Sequence, residues 1–382
     1  MKKMMICAAV IAAMCGLVSC GEEYEKPVEG SRTGFALKFF KNVAAAVSAD
    51  ENIVISPYSA GVALSMVAEG AEGETRVEFD NAFNGCLFKA EDLGNNDTIT
   101  VKSANSVWIT DDFSVRNKYV DLLEKDFDAF VTTLNFADPA TVKAINNWCA
   151  ENTAGKITEI IDRLSPGSVM MLINALYFNA PWAEAFPEKN TRDLTFHGLS
   201  GDVQVPMMSK TEYLNYIEYQ GVQMAELPYE GERYAMYVVL PAKGMSADQL
   251  ITYVNEVLYK QAISMMHSEK VRFTMPKLKL ETSLVLNQSL QRMGVKTAFT
   301  SAANFKGIAA MGPLVLDQVK QKCYIDVSEK GTEAAAVTSI GVRLTAVRPE
   351  NVVTMTVDRP FLFFIADRND SNILFAGRIV NL

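Results

Sequence analysis

Apolar and polar residues follow two different periods along this chain. Apolar spacings of three and four residues predict helices at 33–46, 57–70, 139–155 and 282–293. Continuous or alternating apolar runs predict strands at 52–55, 170–178, 234–240, 271–280, 323–327, 352–357, 361–366 and 373–380. The last two strands flank a polar turn and predict a hairpin. Because helices mostly precede strands without regular alternation, the pattern predicts a single mixed α and β domain.

The stretch at residues 329–348 differs from the rest of the chain. In an extended conformation, one side of it carries small and then apolar residues, namely Thr332, Ala334, Ala336, Thr338, Ile340 and Val342. Side chains this small cannot hold the segment in a core, but they would let it slide between two existing strands. A surface helix is the alternative, since residues 333–336 form helices well. The branched Val337 and Thr338 favour the strand.

One polar residue interrupts the apolar strand predicted at 170–178. Asn174 carries an amide that must find partners if the strand is buried. An unsatisfied buried amide costs about 1–3 kcal/mol. The sequence therefore predicts a polar cluster around Asn174.

Residues 1–19 have the features of a signal peptide. Lys2 and Lys3 precede an apolar run at 4–18 that is too short to span a bilayer as a stable helix. The run ends in Leu-Val-Ser-Cys, which resembles the lipobox of bacterial lipoproteins and implies a lipid on Cys20. A polar tether at 20–32 then leads to a domain at 33–382. We expect an outer-membrane lipoprotein of the bacterial cell envelope, on its periplasmic face or the cell surface.

Composition narrows the chemistry that the chain can perform. The formal net charge is -9 and the basic residues form no cluster, which argues against nucleic acid as a partner. Beyond Cys20, three scattered cysteines, Cys86, Cys149 and Cys323, do not make a disulfide framework. The two histidines, His197 and His267, are too few for a metal site or a Cys-His catalytic pair. We predict no cofactor, no metal and no enzymatic activity.

Several blocks of sequence resemble the serpin family of protease inhibitors, in the family's own order. They are NIVISPYSAGVALSMVAEGAEGET at 52–75, INNWCAENTAGKI at 145–157, LINALYFNAPW at 172–182, EKGTEAAA at 329–336, and DRPFLFFI with ILFAGRIVN near the C-terminus. The resemblance implies a monomeric α+β fold with three β-sheets, eight or nine helices and an exposed reactive loop at about 329–349. It also implies that a protease cleaving this loop is trapped as an acyl-enzyme when the loop enters the main sheet.

The resemblance assigns roles to single positions. The loop hinge corresponds to Glu329, Gly331, Thr332, Ala334, Ala335 and Ala336. A polar shutter beneath the opening strands corresponds to Ser56, Ser59, Asn174 and Gln321. Gln321 stands where many relatives have a histidine, which argues against a pH-dependent shutter. Trp182 corresponds to the breach, the top of the sheet where insertion starts. The small hinge residues are typical of inhibitory members.

The scissile bond follows from the family's spacing, with alternatives. Counting from the hinge glutamate implies cleavage between Thr345 and Ala346, and Leu344 and Arg343 are rival positions. Thr345 after Leu344 would suit an elastase-, subtilisin- or papain-like protease, whereas Arg343 would suit a trypsin-like one. The segment at 75–107 holds few basic residues, so we expect no activation by glycosaminoglycans. The alternative function is a non-inhibitory serpin that binds ligands or assists folding.

Overall fold

The computed structural model describes residues 30–96, 98–164, 167–310, 314–332 and 351–382. This part of the chain contains eight α-helices: α1 Arg32–Ala44, α2 Pro57–Glu69, α3 Gly73–Ala82, α4 Asn117–Phe127, α5 Pro139–Asn152, α6 Ala247–Tyr253, α7 Glu256–Met265 and α8 Asn287–Arg292. Two 3-10 turns lie at Glu188–Asn190 and Thr297–Phe299. Within these described ranges, none of the helices has both the length and the apolar character needed to cross a membrane.

Fifteen strands occur in the same ranges. They are β1 Ile53–Ile55, β2 Thr100–Thr110, β3 Ala129–Leu134, β4 Met170–Pro181, β5 Arg192–Gly198, β6 Gly201–Tyr219, β7 Val222–Pro228, β8 Tyr234–Leu240, β9 His267–Pro276, β10 Leu278–Val285, β11 Lys320–Ser328, β12 Gly331–Thr332, β13 Val353–Thr356, β14 Phe361–Asp367 and β15 Ile373–Ile379. Six of them form a sheet in the order β10-β11-β12-β4-β2-β3.

The other nine strands form a second network in the order β1-β15-β14-β8-β7-β6-β9-β13, with β5 also paired to β6. The long strand β6 pairs with β5 through its first residues and with β7 through its last, while β9 occupies its other edge. β6 therefore joins β5, β7 and β9 into one network, so the described strands form two hydrogen-bonded networks where the resemblance implies three sheets. The predicted α+β class is confirmed, and the predicted terminal hairpin is β14 and β15.

Helix α2 lies between the two networks, packed against β4 of the six-stranded sheet and β15 of the nine-stranded one. The hydroxyl of Ser56 caps its first turn by accepting from the amide of Ser59 at 3.1 Å, and Pro57 fixes the first helical position. Almost all of its side chains are buried, which explains why the apolar pattern of this helix is not confined to one stripe. Its N-terminal turn points polar groups at the middle of the six-stranded sheet.

Helix α5 covers the opposite face of the six-stranded sheet. Its Ile145 and Cys149 pack with Trp108 of β2 and Ile173 of β4 in a buried apolar cluster. Burial raises the pKa of the Cys149 thiol to about 11. It likewise raises the pKa of the Cys323 thiol, on β11, to about 12. Both thiols stay protonated at neutral pH, and a protonated thiol is a poor nucleophile.

Two sequence predictions failed between residues 271 and 293. The single strand predicted at 271–280 is two strands, because Lys277 separates β9 of one network from β10 of the other. The helix predicted at 282–293 begins only at Asn287, and Thr282 and Ser283 instead pair with Cys323 and Lys322 of β11. Pairing with a distant strand outweighs the local helical spacing here.

Candidate functional site

The six-stranded sheet contains a gap between β4 and β11. Of the residues that the structure describes, only the two of β12 lie in it, at one end. Gly331 and Thr332 pair antiparallel with Pro181 and Ala180 of β4 on one side, and with β11 on the other. Over the rest of their lengths, β4 and β11 share no ladder with each other or with another strand in the described ranges on these two edges. We call this position, between β4 and β11, the slot.

Three hydrogen bonds tie the hinge to the chain just beyond β4. The backbone amide of Trp182 donates to the Lys330 carbonyl at 2.9 Å, and its indole Nε1 donates to the Ser328 carbonyl at 2.9 Å. The amide of Phe186 donates to the Glu329 carbonyl at 2.8 Å. Trp182, which the resemblance assigned to the breach, therefore contacts the hinge directly. The first hinge residues are built into the sheet, and Glu329, Gly331 and Thr332 are buried.

Thr332 is the innermost described residue of the hinge. Its side chain is 2% exposed, and its hydroxyl lies 2.7 Å from the phenol oxygen of Tyr229. Tyr229 stacks on Trp182, with ring centroids 4.5 Å apart, and burial raises its pKa well above the ordinary value. The phenol is therefore neutral and can donate to the hydroxyl. A threonine fits this position because it is small and still satisfies the phenol.

Glu329 adds an electrostatic contact at the end of the slot where β12 lies, which we call the mouth. Its carboxylate accepts a hydrogen bond from the Thr191 hydroxyl at 2.7 Å and pairs with Lys277 at 2.9 Å. Burial alone would raise the pKa of Glu329, but the bonds from Lys277 and Thr191 outweigh burial and leave the pKa below its ordinary value. The hinge is therefore held by charge as well as by the backbone ladder.

The polar residues of the predicted shutter lie in two groups, and the first group holds β11. The Gln321 amide nitrogen donates to the Ser56 carbonyl at 2.9 Å, while the Ser56 amide donates to the Gln321 side-chain oxygen at 3.1 Å. Both bonds are buried. A glutamine can make this two-way contact at any physiological pH because its amide does not titrate.

The second group holds β4 and supplies the partners predicted for Asn174. The Ser59 hydroxyl donates to the Asn174 side-chain oxygen, and the Asn174 amide donates to the side-chain oxygen of Asn105 on β2. Asn105 in turn donates to the Phe127 carbonyl at 2.7 Å. Ser103 lies 3.4 Å from the Asn174 amide nitrogen as a weaker acceptor.

Helix α2 thus holds both borders of the slot separately. Ser56 binds β11 through Gln321, and Ser59 binds β4 through Asn174. Among the residues that the structure describes, no hydrogen bond joins Gln321 to Asn174 across the slot.

Residues 156–161, which follow α5, reach over the slot from the other face. The Lys322 ammonium of β11 donates to the Glu159 carbonyl at 3.0 Å, and Lys156 lies 5.1 Å from the ring centre of Tyr324. The side chain of Asn146 on α5 fixes this segment by accepting from the amides of Ile160 and Ile161. Contacts on this face therefore connect the segment after α5 to β11.

A cavity of about 910 Å³ lies beside the shutter, between the far halves of β4 and β11. Its walls are mainly apolar and come from α2, β4 and the region around α8, with Leu64, Met170, Leu286 and Leu316 as examples. Asn174, Ser59 and Gln321 also line it, together with other polar residues such as Asp162 and Asp317. Among the described residues, the slot is therefore bordered by a cavity below the shutter and has no strand paired to its edges there.

Some predicted site residues lie outside the described ranges. They are Cys20, Ala334, Ala335, Ala336, Arg343, Leu344, Thr345 and Ala346. In the other direction, the structure places four residues at the hinge that the sequence analysis missed: Tyr229, Thr191, Lys277 and Lys210. Lys210 lies on β6, Thr191 just before β5, and Tyr229 and Lys277 just after β7 and β9. No local pattern marks a residue for a contact with a segment more than about twenty positions away.

The fold and the slot together define an α+β protein whose main sheet holds Gly331 and Thr332 of the hinge between β4 and β11. Residues 31–382 match the family described as "Serpin (serine protease inhibitor)". The chain therefore belongs to the serpin family. Members of this family generally inhibit target proteases as monomers rather than acting as enzymes, although some are not inhibitory.

Relatives and solved structures agree with this assignment over nearly the whole chain. An uncharacterised serpin-like protein of Thermococcus kodakarensis is 33% identical over 94% of this chain and 87% of its own length. A serine protease inhibitor of Cyanea capillata is 32% identical over 91% of this chain and 96% of its own. The crystal structure of the thermophilic serpin tengpin in its native state superposes with a TM-score of 0.84, at 29% identity, over 96% of each chain.

Proposed function

We propose that this protein is an irreversible suicide-substrate inhibitor of serine endopeptidases, with papain-like cysteine endopeptidases as a second target class. The observation that carries the proposal is β12, because the hinge already occupies the first two positions of the slot. Cleavage of the loop beyond the hinge would free the following residues to extend β12. Each added residue would gain ladder hydrogen bonds on both sides, which is the driving force for strand addition.

The two ladders of β12 set the register of the proposed insertion. Continued without a bulge, they put Ala334 opposite Phe178 and Ile325, and Ala336 opposite Leu176 and Cys323. Residue 338 then falls opposite both Asn174 and Gln321. Directly opposed residues on neighbouring strands point to the same face. The Thr338 hydroxyl would therefore enter between the two shutter amides and join the groups that are separate in the native state.

The residues at the proposed reactive bond decide the target class. Thr345 and Ala346 form the bond by the family's spacing, and Leu344 beside them favours elastase-, subtilisin- or papain-like proteases. Cleavage after Arg343 would admit a trypsin-like protease but would shorten the inserted strand by two residues. We propose Thr345–Ala346 as the bond because it leaves the longer insert.

We further propose that the protein is a bacterial lipoprotein, anchored through a lipid on Cys20 at the outer membrane. The support is the signal-like pattern of residues 1–19, the lipobox resemblance and the polar tether before the domain. Mass spectrometry of the protein purified from its own membranes tests this. A diacylglyceryl adduct on Cys20 is expected, and a Cys20→Ala variant should leave the membrane fraction. An unmodified Cys20 in the mature protein would overturn the proposal.

The inhibitory function is tested by mixing residues 21–382 with elastase, trypsin and papain separately. We expect a covalent adduct that survives denaturing electrophoresis and a released peptide that begins at Ala346. A peptide that begins at Leu344 or Thr345 would keep the mechanism and move the bond. Loop cleavage should also raise the unfolding temperature strongly. Cleavage by every protease with no adduct and no gain in heat stability would refute inhibition and favour the binding function.

A further inference from the structure

Residues 183–187, which we call the gate segment, lie between β4 and the 3-10 turn at Glu188–Asn190 and have no regular structure. The amide of Phe186 in this segment donates to the Glu329 carbonyl, and the amide of Ala183 donates to the Pro228 carbonyl at 3.0 Å. The Phe186 ring is buried against Trp182 and Phe273. The gate segment therefore forms one wall around the hinge.

Lys210 on β6 binds the backbone of the gate segment. Its side chain is 3% exposed, and its ammonium donates to the Glu184 carbonyl at 2.6 Å. The same nitrogen lies 4.7 Å from the centre of the Phe186 ring, close enough for attraction to the face of the ring. Among the described residues, Lys210 supplies the one side-chain hydrogen bond that reaches residues 183–187. A buried lysine in such a place holds backbone that has no ladder of its own.

We propose that Lys210 is a positioning residue for the inhibitory reaction: it fixes the gate segment so that Phe186 holds Glu329, and Gly331 and Thr332 stay in the starting register of the slot. This inference rests on the proposed inhibitory function. Loss of the contact would leave the hinge less well seated when the loop is cleaved. Insertion would start later, and more of the acyl-enzyme would hydrolyse before the protease is trapped.

The charge on Lys210 gives the contact a pH dependence that can be measured. Burial lowers the pKa of Lys210 to about 8, against the opposing effect of the carboxylates of Glu212 and Glu184. The nearest carboxylate oxygen, on Glu212, is 4.0 Å away. Above this pH the amine loses the charge that strengthens its bond to the carbonyl and its attraction to the ring. An arginine at this position would keep its charge throughout the range.

The experiment compares the wild type, Lys210→Arg and Lys210→Met as full mature chains at about pH 7 and about pH 9. One measurement is amide hydrogen exchange of residues 183–191 without protease, corrected for intrinsic exchange. The other is the ratio of cleaved to covalently trapped inhibitor after reaction with elastase. From the lower to the higher pH, the wild type should show about a tenfold rise in both quantities. In Lys210→Arg, the exchange of residues 183–191 and the ratio of cleaved to trapped inhibitor should both stay low at both pH values. In Lys210→Met, both quantities should be high at both pH values.

The exposed Lys243 supplies the control, and Lys243→Met should follow the wild type. Identical pH profiles for the wild type and Lys210→Arg would overturn the proposal. So would protection of residues 183–191 in Lys210→Met at the wild-type level. If the wild type forms no covalent complex at either pH, the inhibitory function fails. The exchange data then decide by themselves whether Lys210 positions the gate segment.

Discussion

The two ends of the slot are built in opposite ways. At the mouth, β12 crosses the slot and bonds to both borders, and charged residues such as Glu329 and Lys277 reinforce it. At the shutter, neutral side chains hold each border to α2, and in the described residues no such bond crosses the slot. The mouth thus already holds two residues between β4 and β11, while at the shutter each border has its own hydrogen bonds to α2. This difference predicts that changes at the mouth alter trapping and that changes at the shutter alter stability.

The largest effect should come from a charge at the innermost hinge residue. In Thr332→Arg a guanidinium would have to enter a site that is 2% exposed and lined by Tyr229. An unpaired buried charge costs at least several kcal/mol. We expect the ratio of cleaved to trapped inhibitor to rise more than about a hundredfold in a gel assay. Thr332→Ser keeps the hydroxyl and serves as the control; efficient trapping by the arginine variant would contradict the proposed role of β12.

The next effect should be on stability, at the shutter. Asn174→Ala leaves the Ser59 hydroxyl without its acceptor and the Asn105 side-chain oxygen without its donor, so it should lower the free energy of unfolding by about 1–3 kcal/mol. Urea unfolding followed by circular dichroism measures this. Asn179→Ala on the same strand is the matched control, because the Asn179 side chain bonds to no described residue. Equal losses in both variants would argue against a special polar cluster at the shutter.

A smaller effect should appear when acid protonates Glu329. The folded-state pKa of this carboxyl is lowered, so its contribution is present above the ordinary value of 4.5 and is lost as pH falls below it. Because Lys277 is 40% exposed and screened by solvent, the contribution is about 0.5–1 kcal/mol. Denaturant unfolding at neutral and acid pH should show this loss in the wild type. Glu329→Gln should remove that part of the pH dependence, and an unchanged profile would rule out the contact as its source.

The smallest expected effect concerns whether the Gln321 group and the Asn174 group of the shutter contribute independently to stability. In the native state, Gln321→Ala and Asn174→Ala should be additive within about 0.5 kcal/mol, since no bond joins the two side chains. Ser59→Ala and Asn174→Ala should instead be coupled through their shared bond. Double-mutant cycles on unfolding free energies measure both. After loop cleavage we expect Gln321 and Asn174 to become coupled through Thr338, and continued additivity there would contradict the proposed register.

The fold could be predicted in part from the chain because local patterns carry it. Strong apolar runs located β4, β8, β14 and β15, and the Ser56-Pro57 pair located the start of α2. The prediction missed strands with mixed exposure, such as β5, because their apolar spacing is weak. It also misplaced β10, whose state depends on pairing with β11 rather than on its own residues.

The candidate site was likewise predictable from the sequence only in part. The lone amide of Asn174 required buried partners, and the small residues of the hinge allowed a strand that slides between others; both follow from composition and period alone. The position of α2 against the sheet decides which partners Asn174 has. It also decides that Gln321 binds Ser56 instead of Asn174. The roles of Tyr229, Lys277 and Lys210 are likewise tertiary, because each touches a segment distant in sequence. The sequence by itself determined a segment able to become a strand. Only the tertiary structure decided that Gly331 and Thr332 of this segment pair with β4 and β11, because the edges of these two strands exist only once distant parts of the chain have assembled.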